Sequence, residues 1–118
     1  EIASMVVIGD VAGRDVVIID DICDTGGTLA KSAGLLKEKG ARSVRALITH
    51  PVLSGKAYEN IENSVLEELV VCDTIPLKKE TSKIKPVTVA ELFAVAIRNA
   101  YENKSITSLF IHSQRKDK

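Results

Sequence analysis

The sequence has few aromatic residues and no excess of charge of either sign. Its 118 residues include no tryptophan, two tyrosines and two phenylalanines, and its 16 basic side chains balance 16 acidic ones. A net charge of zero argues against a general binder of nucleic acids or anionic membrane surfaces, because both need a positive excess. The scarcity of aromatics also argues against a stacking platform for single strands. We therefore expect neither a nucleic acid nor a membrane as a partner.

Cysteines and long hydrophobic runs are scarce as well. Cys23 and Cys72 form no framework of spacings, so a disulfide-stapled secreted domain is not expected. The aliphatic run at residues 16–19 is far shorter than the roughly 20 apolar residues of a membrane-spanning helix. No charged-then-apolar leader opens the sequence. These features predict a cytoplasmic protein, and the start at Glu1 rather than at methionine predicts a piece of a longer one.

The order of hydrophobic patterns predicts the fold class. Short aliphatic runs alternate with segments of helical periodicity, which is typical of strand–helix–strand units around a mostly parallel sheet. The run at 16–19 is apolar on both faces, so we expect a central strand covered by helices on each side. The sequence thus predicts one domain with a three-layer α/β fold. The predicted strands are 5–8, 16–19, 44–49, 69–72 and an edge strand at 87–89, and the predicted helices are 28–39, 54–61 and 92–100.

Most of the polar residues that could carry chemistry follow the run at 16–19. The segment contains Asp20, Asp21, Ile22, Cys23, Asp24, Thr25, Gly26, Gly27 and Thr28. It lies between a strand and a helix, at the carboxyl end of the strand, where open parallel sheets bind ligands. Two glycines let the backbone approach a ligand closely, and free N–H groups at the helix start favour an anion. The segment therefore suits a phosphate monoester.

The three aspartates have the wrong sign for a phosphate and constrain the rest of the ligand. We expect them to accept hydrogen bonds from another part of the same molecule, or to meet a metal there. A sugar phosphate satisfies both halves, with vicinal hydroxyls for Asp20 or Asp21 and the phosphate at residues 25–28. The plainer interpretation is that Asp20 and Asp21 end a strand and Asp24 caps a helix. The combination of acids, glycines and threonines favours binding.

Other motifs are not supported. A P-loop needs a lysine directly after its second glycine, but Thr28 follows Gly27, and the dinucleotide fingerprint needs three spaced glycines. His50 is interpreted as a hydrogen-bonded loop histidine rather than a catalytic one. Acids surround Cys23, which argues against a reactive thiolate, and Cys72 is expected in the core. No His/Cys spacing indicates zinc.

Residues 20–28 resemble the phosphoribosyl-pyrophosphate-binding loop shared by type I phosphoribosyltransferases and phosphoribosyl pyrophosphate synthetases. Residues 9–11, 49–55 and 70–76 resemble bacterial ribose-phosphate pyrophosphokinases, as does the tail at 105–110. The resemblance covers nearly the whole sequence in order. It implies a type I phosphoribosyltransferase-like fold and a place as the C-terminal domain of a two-domain enzyme.

The resemblance also implies an activity. Such an enzyme transfers the pyrophosphoryl group of ATP to the anomeric hydroxyl of ribose 5-phosphate, with Mg²⁺, and releases AMP. The residues expected to bind ribose 5-phosphate are Asp20, Asp21, Asp24, Thr25, Gly26, Gly27 and Thr28. The family's catalytic lysine and arginine, and its magnesium ligands, belong upstream of Glu1. We therefore expect no catalytic or metal-ligating residue in this chain, and no turnover by the chain alone.

The tail carries a second expectation. Ser105 and Thr107 alternate along what is taken as an extended segment, so their hydroxyls would point to one side. The resemblance implies that Ser105, Thr107 and Phe110 contribute to a regulatory site at subunit contacts of a homo-oligomer, which is a hexamer in the full-length family. The plainer interpretation is that Phe110 fastens the end of the chain to the core.

Two other function classes stay open. A nucleobase phosphoribosyltransferase would share the loop but needs a base-binding hood, for which no segment is spare. A non-catalytic regulatory subunit would keep the fold while altering the loop, and the intact run at residues 24–28 argues against it.

Overall fold

The computed structural model describes residue 7 and residues 9–109. It divides into two compact units, Glu1–Val87 and Thr88–Lys118. Most of the predicted strand at 5–8 lies outside the described residues. The elements are β1 (Asp15–Cys23), α1 (Gly27–Glu38), β2 (Ser43–Pro51), α2 (Ala57–Glu62), β3 (Glu68–Cys72), β4 (Ile84–Val87), α3 (Ala90–Tyr101) and a 3-10 turn at Thr107–Leu109.

The first unit is built on a parallel sheet with the strand order β1-β2-β3-β4. All three strand pairs are parallel, and Asp20 of β1 lies opposite Ile48 of β2. Helices α1 and α2 make the first two crossovers, as parallel neighbours require. The predicted α/β class with a mostly parallel sheet is confirmed. Along the described part of the chain, no helix has both the length and the apolarity to cross a bilayer.

The central position predicted for the run at 16–19 is wrong for the described sheet, because β1 lies at one end of the strand order. Successive side chains of a strand point to opposite faces. Val16 and Ile18 pack against the core, whereas Val17 and Ile19 are 56% and 74% exposed. The aliphatic run therefore predicted correctly that both faces of the strand are apolar. It did not predict whether other elements cover both faces.

The core of the first unit lies on the face of the sheet that α1 and α2 share. Alternate residues of β2 are buried there, namely Val44, Ala46 and Ile48, while Arg45 between them is exposed. The other buried hydrophobic residues are Cys23, Leu29, Ala33, Ala41, Leu53, Ala57, Ile61, Leu66, Leu69, Val71 and Ile84. The predicted apolar face of the first helix is confirmed, since Leu29 and Ala33 are buried and Leu36 is packed against them.

The last strand begins earlier than predicted. β4 spans Ile84–Val87 instead of residues 87–89, and Ile84 is its one buried residue. The prediction started the strand after Pro86, whereas the strand includes Pro86. An edge strand tolerates proline when that position faces away from its neighbour, and β4 is indeed at an edge.

The described part of the second unit contains α3 and the turn that follows it. The helix carries the predicted apolar residues Leu92, Phe93, Ala96, Ile97 and Ala100. It ends where the N–H of Glu102 donates to the carbonyl of Arg98 at 2.9 Å, and Asn103 then adopts a left-handed conformation with φ +56°.

Candidate functional site

The segment between β1 and α1 forms a tight turn, which we call the glycine loop (residues 24–26). Gly26 adopts φ +76° and precedes α1, and its carbonyl accepts the helix's first bond from the N–H of Ala30 at 2.9 Å. No side chain caps this helix start. The early N–H groups of α1, which have no partner within the helix, are therefore open to an anion.

A cavity of about 310 Å³ lies beside the glycine loop. Its lining residues are Ile18, Asp20, Ile22, Cys23, Asp24, Thr25, Gly26, Thr28, Leu29, Ser32 and Ile48. Five of the predicted site residues thus share one cavity, whereas Asp21 and Gly27 do not line it. Ser32 was missed by the sequence reasoning, although it stands four residues after Thr28 and therefore on the same face of α1.

The aspartates of the segment differ in their partners. The carboxylate of Asp20 accepts a hydrogen bond from the N–H of Asp21 at 2.8 Å, and both residues are exposed. Asp24 is held more firmly, because its carboxylate accepts a bond from the hydroxyl of Ser54 and its carbonyl accepts the N–H of Ser54 at 2.9 Å. Asp24 thus fastens the loop, while Asp20 presents a carboxylate to the cavity.

Residues distant in sequence support the glycine loop. The N–H of Leu53 donates to the carbonyl of Cys23 at 3.1 Å, and the side-chain amide of Asn60 donates to the carbonyl of Thr25 at 2.8 Å. Sequence reasoning missed Ser54 and Asn60. No local pattern in the sequence could have identified them, because α1 and β2 separate both residues from the loop along the chain.

His50 at the end of β2 is hydrogen-bonded, as predicted. Its Nδ1 lies 2.9 Å from the hydroxyl of Thr74, and that hydroxyl donates to the carbonyl of Thr49 at 2.9 Å. The hydroxyl has a single proton and gives it to the carbonyl, so Nδ1 is the donor to the hydroxyl.

The cysteines and the acids do not form a reactive or metal-binding centre in the described part of the chain. Burial raises the pKa of the Cys23 thiol, Asp24 and Asp20 raise it further, and a hydrogen bond from the backbone of Gly26 opposes the rise. The raised pKa agrees in direction with the effect expected from the acids around Cys23. Cys72 is only partly buried. Among residues 7 and 9–109, no three His, Cys, Asp or Glu side chains are grouped closely enough to hold a metal ion.

The predicted regulatory residues lie in the second unit. Thr107 begins the 3-10 turn, and its N–H donates to the hydroxyl of Ser105 at 3.1 Å. The expectation of an extended segment with both hydroxyls on one side is therefore wrong, because the local hydrogen bond folds residues 105–107 into a turn. Phe110 lies outside the described residues.

Comparisons with known proteins agree with the resemblance seen in the sequence. The model of the phosphoribosyl synthetase-associated domain family matches residues 1–111. The ribose-phosphate pyrophosphokinases of Wolinella succinogenes and Campylobacter jejuni are 61% and 57% identical over 107 residues, covering 91% of this chain and 35% of each relative. The crystal structure of phosphoribosylpyrophosphate synthetase from Mycobacterium smegmatis is 36% identical, with a TM-score of 0.78 over 81% of this chain and 33% of that one.

The chain therefore spans about a third of the length of these relatives. Its place as their C-terminal domain stays a prediction. The match over residues 1–111 is nevertheless nearly complete for this chain, which thus belongs to the phosphoribosyl synthetase-associated domain family.

Proposed function

We propose that this chain supplies the ribose 5-phosphate site of a ribose-phosphate pyrophosphokinase. The observation that carries the proposal is the cavity at the carboxyl end of β1, where an uncapped helix start and the carboxylate of Asp20 border the same space. The two features recognise opposite ends of one ligand. The helix start binds the phosphate, and the carboxylate accepts hydrogen bonds from sugar hydroxyls.

In this proposal the residues of the site have distinct roles. The backbone N–H groups of Thr25, Gly27 and Thr28 and the hydroxyls of Thr25 and Thr28 bind the 5-phosphate. Asp20 faces the ribose from the cavity, and Asp24 keeps the glycine loop in place through Ser54. Asp21, predicted for the same site, does not line the cavity and receives no role in the proposal. Gly26 supplies the left-handed turn that leads the backbone into the start of α1, where the phosphate is expected to bind.

The second half of the reaction needs groups from elsewhere in the protein. Transfer from ATP relies on cations that stabilise the charge of the transferring group, and in the described structure neither lysine nor arginine lines the cavity. In the described part of the chain, no three His, Cys, Asp or Glu side chains are grouped so that they could hold a metal ion. We therefore expect Mg²⁺ to be held by residues outside this chain. We accordingly expect ATP to react in the full-length protein and this chain alone to release no AMP.

The same proposal extends to the setting of the enzyme. Relatives are named ribose-phosphate pyrophosphokinases, which supports a transferase that uses ribose 5-phosphate and ATP. A cytoplasmic location stays a prediction. A homo-oligomer, with Ser105, Thr107 and Phe110 at a regulatory subunit contact, is the further expectation for the full-length protein.

Replacement of Asp20 tests the assignment. We expect Asp20→Asn to weaken ribose 5-phosphate binding by about tenfold, because a hydrogen bond to a charged group contributes about 1.5–3 kcal/mol. Binding of inorganic phosphate should not weaken, since the variant removes a negative charge near it. Asp10→Asn is the control, because Asp10 only accepts the N–H of Ala12 at 3.0 Å in the loop before β1. Equal loss of both ligands, or loss of neither, would contradict the role of Asp20.

A further inference from the structure

Helix α2 packs directly beneath the glycine loop. A Cβ placed on Gly26 would lie 3.3 Å from Cγ1 of Ile61 and 3.5 Å from the carbonyl oxygen of Ala57. On the same helix, the half-buried Asn60 donates from Nδ2 to the carbonyl of Thr25 at 2.8 Å. One face of a six-residue helix thus contacts the loop through packing and through a hydrogen bond.

The hydrogen bond from Asn60 sets the orientation of one peptide group. In a trans peptide the C=O and the following N–H point in opposite directions, so a carbonyl of Thr25 that faces α2 turns the N–H of Gly26 away from it. That N–H is directed instead to Cys23, where it opposes the rise in the pKa of the thiol. The Thr25–Gly26 peptide therefore has a partner at each end, Asn60 at its C=O and Cys23 at its N–H, and these two contacts fix its orientation.

Helix α2 is itself firmly anchored. Ala57 and Ile61 are fully buried. Near the end of the helix, the ammonium group of Lys83 donates to the carbonyls of Ile61, Glu62 and Ser64 at 3.3, 3.1 and 2.9 Å. Cationic side chains stabilise helix C-termini in this way. The amide of Asn60 is therefore presented from a fixed support.

We propose that Asn60 is a positioning residue for the phosphate-binding loop. Its side-chain amide fixes the Thr25–Gly26 peptide, and with it the turn that leads to the N–H groups of Gly27 and Thr28 at the start of α1. This reduces the conformational entropy that the two glycines would otherwise lose when phosphate binds. The inference rests on the proposed function, which places the phosphate at this loop. Asn60 supports the site from outside the cavity, because it is not one of the lining residues.

The test compares Asn60→Ala with Asn63→Ala in the 118-residue chain. Asn63 is the C-cap residue of the same helix, is exposed, and leaves the loop untouched when its side chain is removed. Ribose 5-phosphate is titrated into each ¹⁵N-labelled protein. We expect Asn60→Ala to raise the dissociation constant about fivefold, which corresponds to one hydrogen bond of ordinary strength, and Asn63→Ala to leave it unchanged.

Spectra recorded without ligand distinguish a change confined to the loop from a general loss of structure. Asn60→Ala should shift or broaden the amide signal of Gly26 while the signals of Val44 and Leu69 in the sheet stay in place. An unchanged dissociation constant in Asn60→Ala would overturn the inference. If the wild-type chain itself fails to bind ribose 5-phosphate, the proposed function is refuted, and the Gly26 signal alone decides: a shift supports the orienting role of Asn60, and no shift overturns it.

Discussion

Replacing Gly26 and Gly27 in turn by alanine distinguishes two positions that look equivalent in the sequence. Gly26 has φ +76°, in a region that costs a residue with a Cβ about 1–2 kcal/mol. The new methyl group would also lie 3.3 Å from Cγ1 of Ile61, which is fully buried and has little room to move. The alanine restricts the unfolded chain, which offsets about 0.4–1 kcal/mol. With the close contact to Ile61 included, we expect Gly26→Ala to lower the free energy of unfolding by about 1 kcal/mol.

Gly27 is the first residue of α1 and has no positive φ. Its nearest neighbour for an added Cβ is Oγ1 of Thr25 at 3.9 Å, an ordinary van der Waals distance. Alanine is favoured over glycine in helices by about 0.5–1 kcal/mol, so Gly27→Ala should be neutral or slightly stabilising. Urea unfolding followed by circular dichroism measures both variants. Equal destabilisation by the two exchanges, or a stable Gly26→Ala, would refute the account of the loop.

Two further predictions concern ion and helix contacts outside the cavity. Lys83→Met should lower the free energy of unfolding by about 1 kcal/mol, because it removes a donor from three carbonyls at the end of α2. The control Lys85→Met, on the exposed edge strand, should have no measurable effect. Thermal melting compares the two variants. Hydrogen bonds from Arg42 and Ser43 hold the pKa of Asp15 well below its ordinary value near 4. Because the pKa is lowered in the folded state, the stabilisation present above pH 4 is lost as the pH falls below it. Wild type should therefore lose more stability than Asp15→Asn between pH 6 and pH 3 in urea unfolding, and equal losses would exclude a contribution from this carboxylate.

Much of the fold could be predicted because its signals are local. The alternation of Val44, Ala46 and Ile48 gives a strand with one buried face, and Leu29 and Ala33 give the buried face of α1. The position of β1 at one end of the described sheet could not be predicted, since an aliphatic run carries no information about its neighbouring strands.

The site divides in the same way. The polar residues between β1 and α1 are contiguous, and five of those predicted as ligands line one cavity. The support from Asn60 comes from 35 residues beyond Thr25 and depends on how α2 packs. The difference between Gly26 and Gly27 depends on the backbone angle φ, which the residue type alone does not reveal. At Ser105 a side-chain hydrogen bond to the backbone replaces the expected extended conformation.

The most direct test of the ribose 5-phosphate site is a map of where that ligand perturbs the chain. Ribose 5-phosphate is titrated into the ¹⁵N-labelled protein, and the amide shifts are assigned residue by residue. We expect the largest shifts at residues 25–28, smaller ones at Asp20 and Asp21, and none along β4. Largest shifts outside the cavity, or an absence of shifts at residues 25–28 at saturating ligand, would contradict the proposed site.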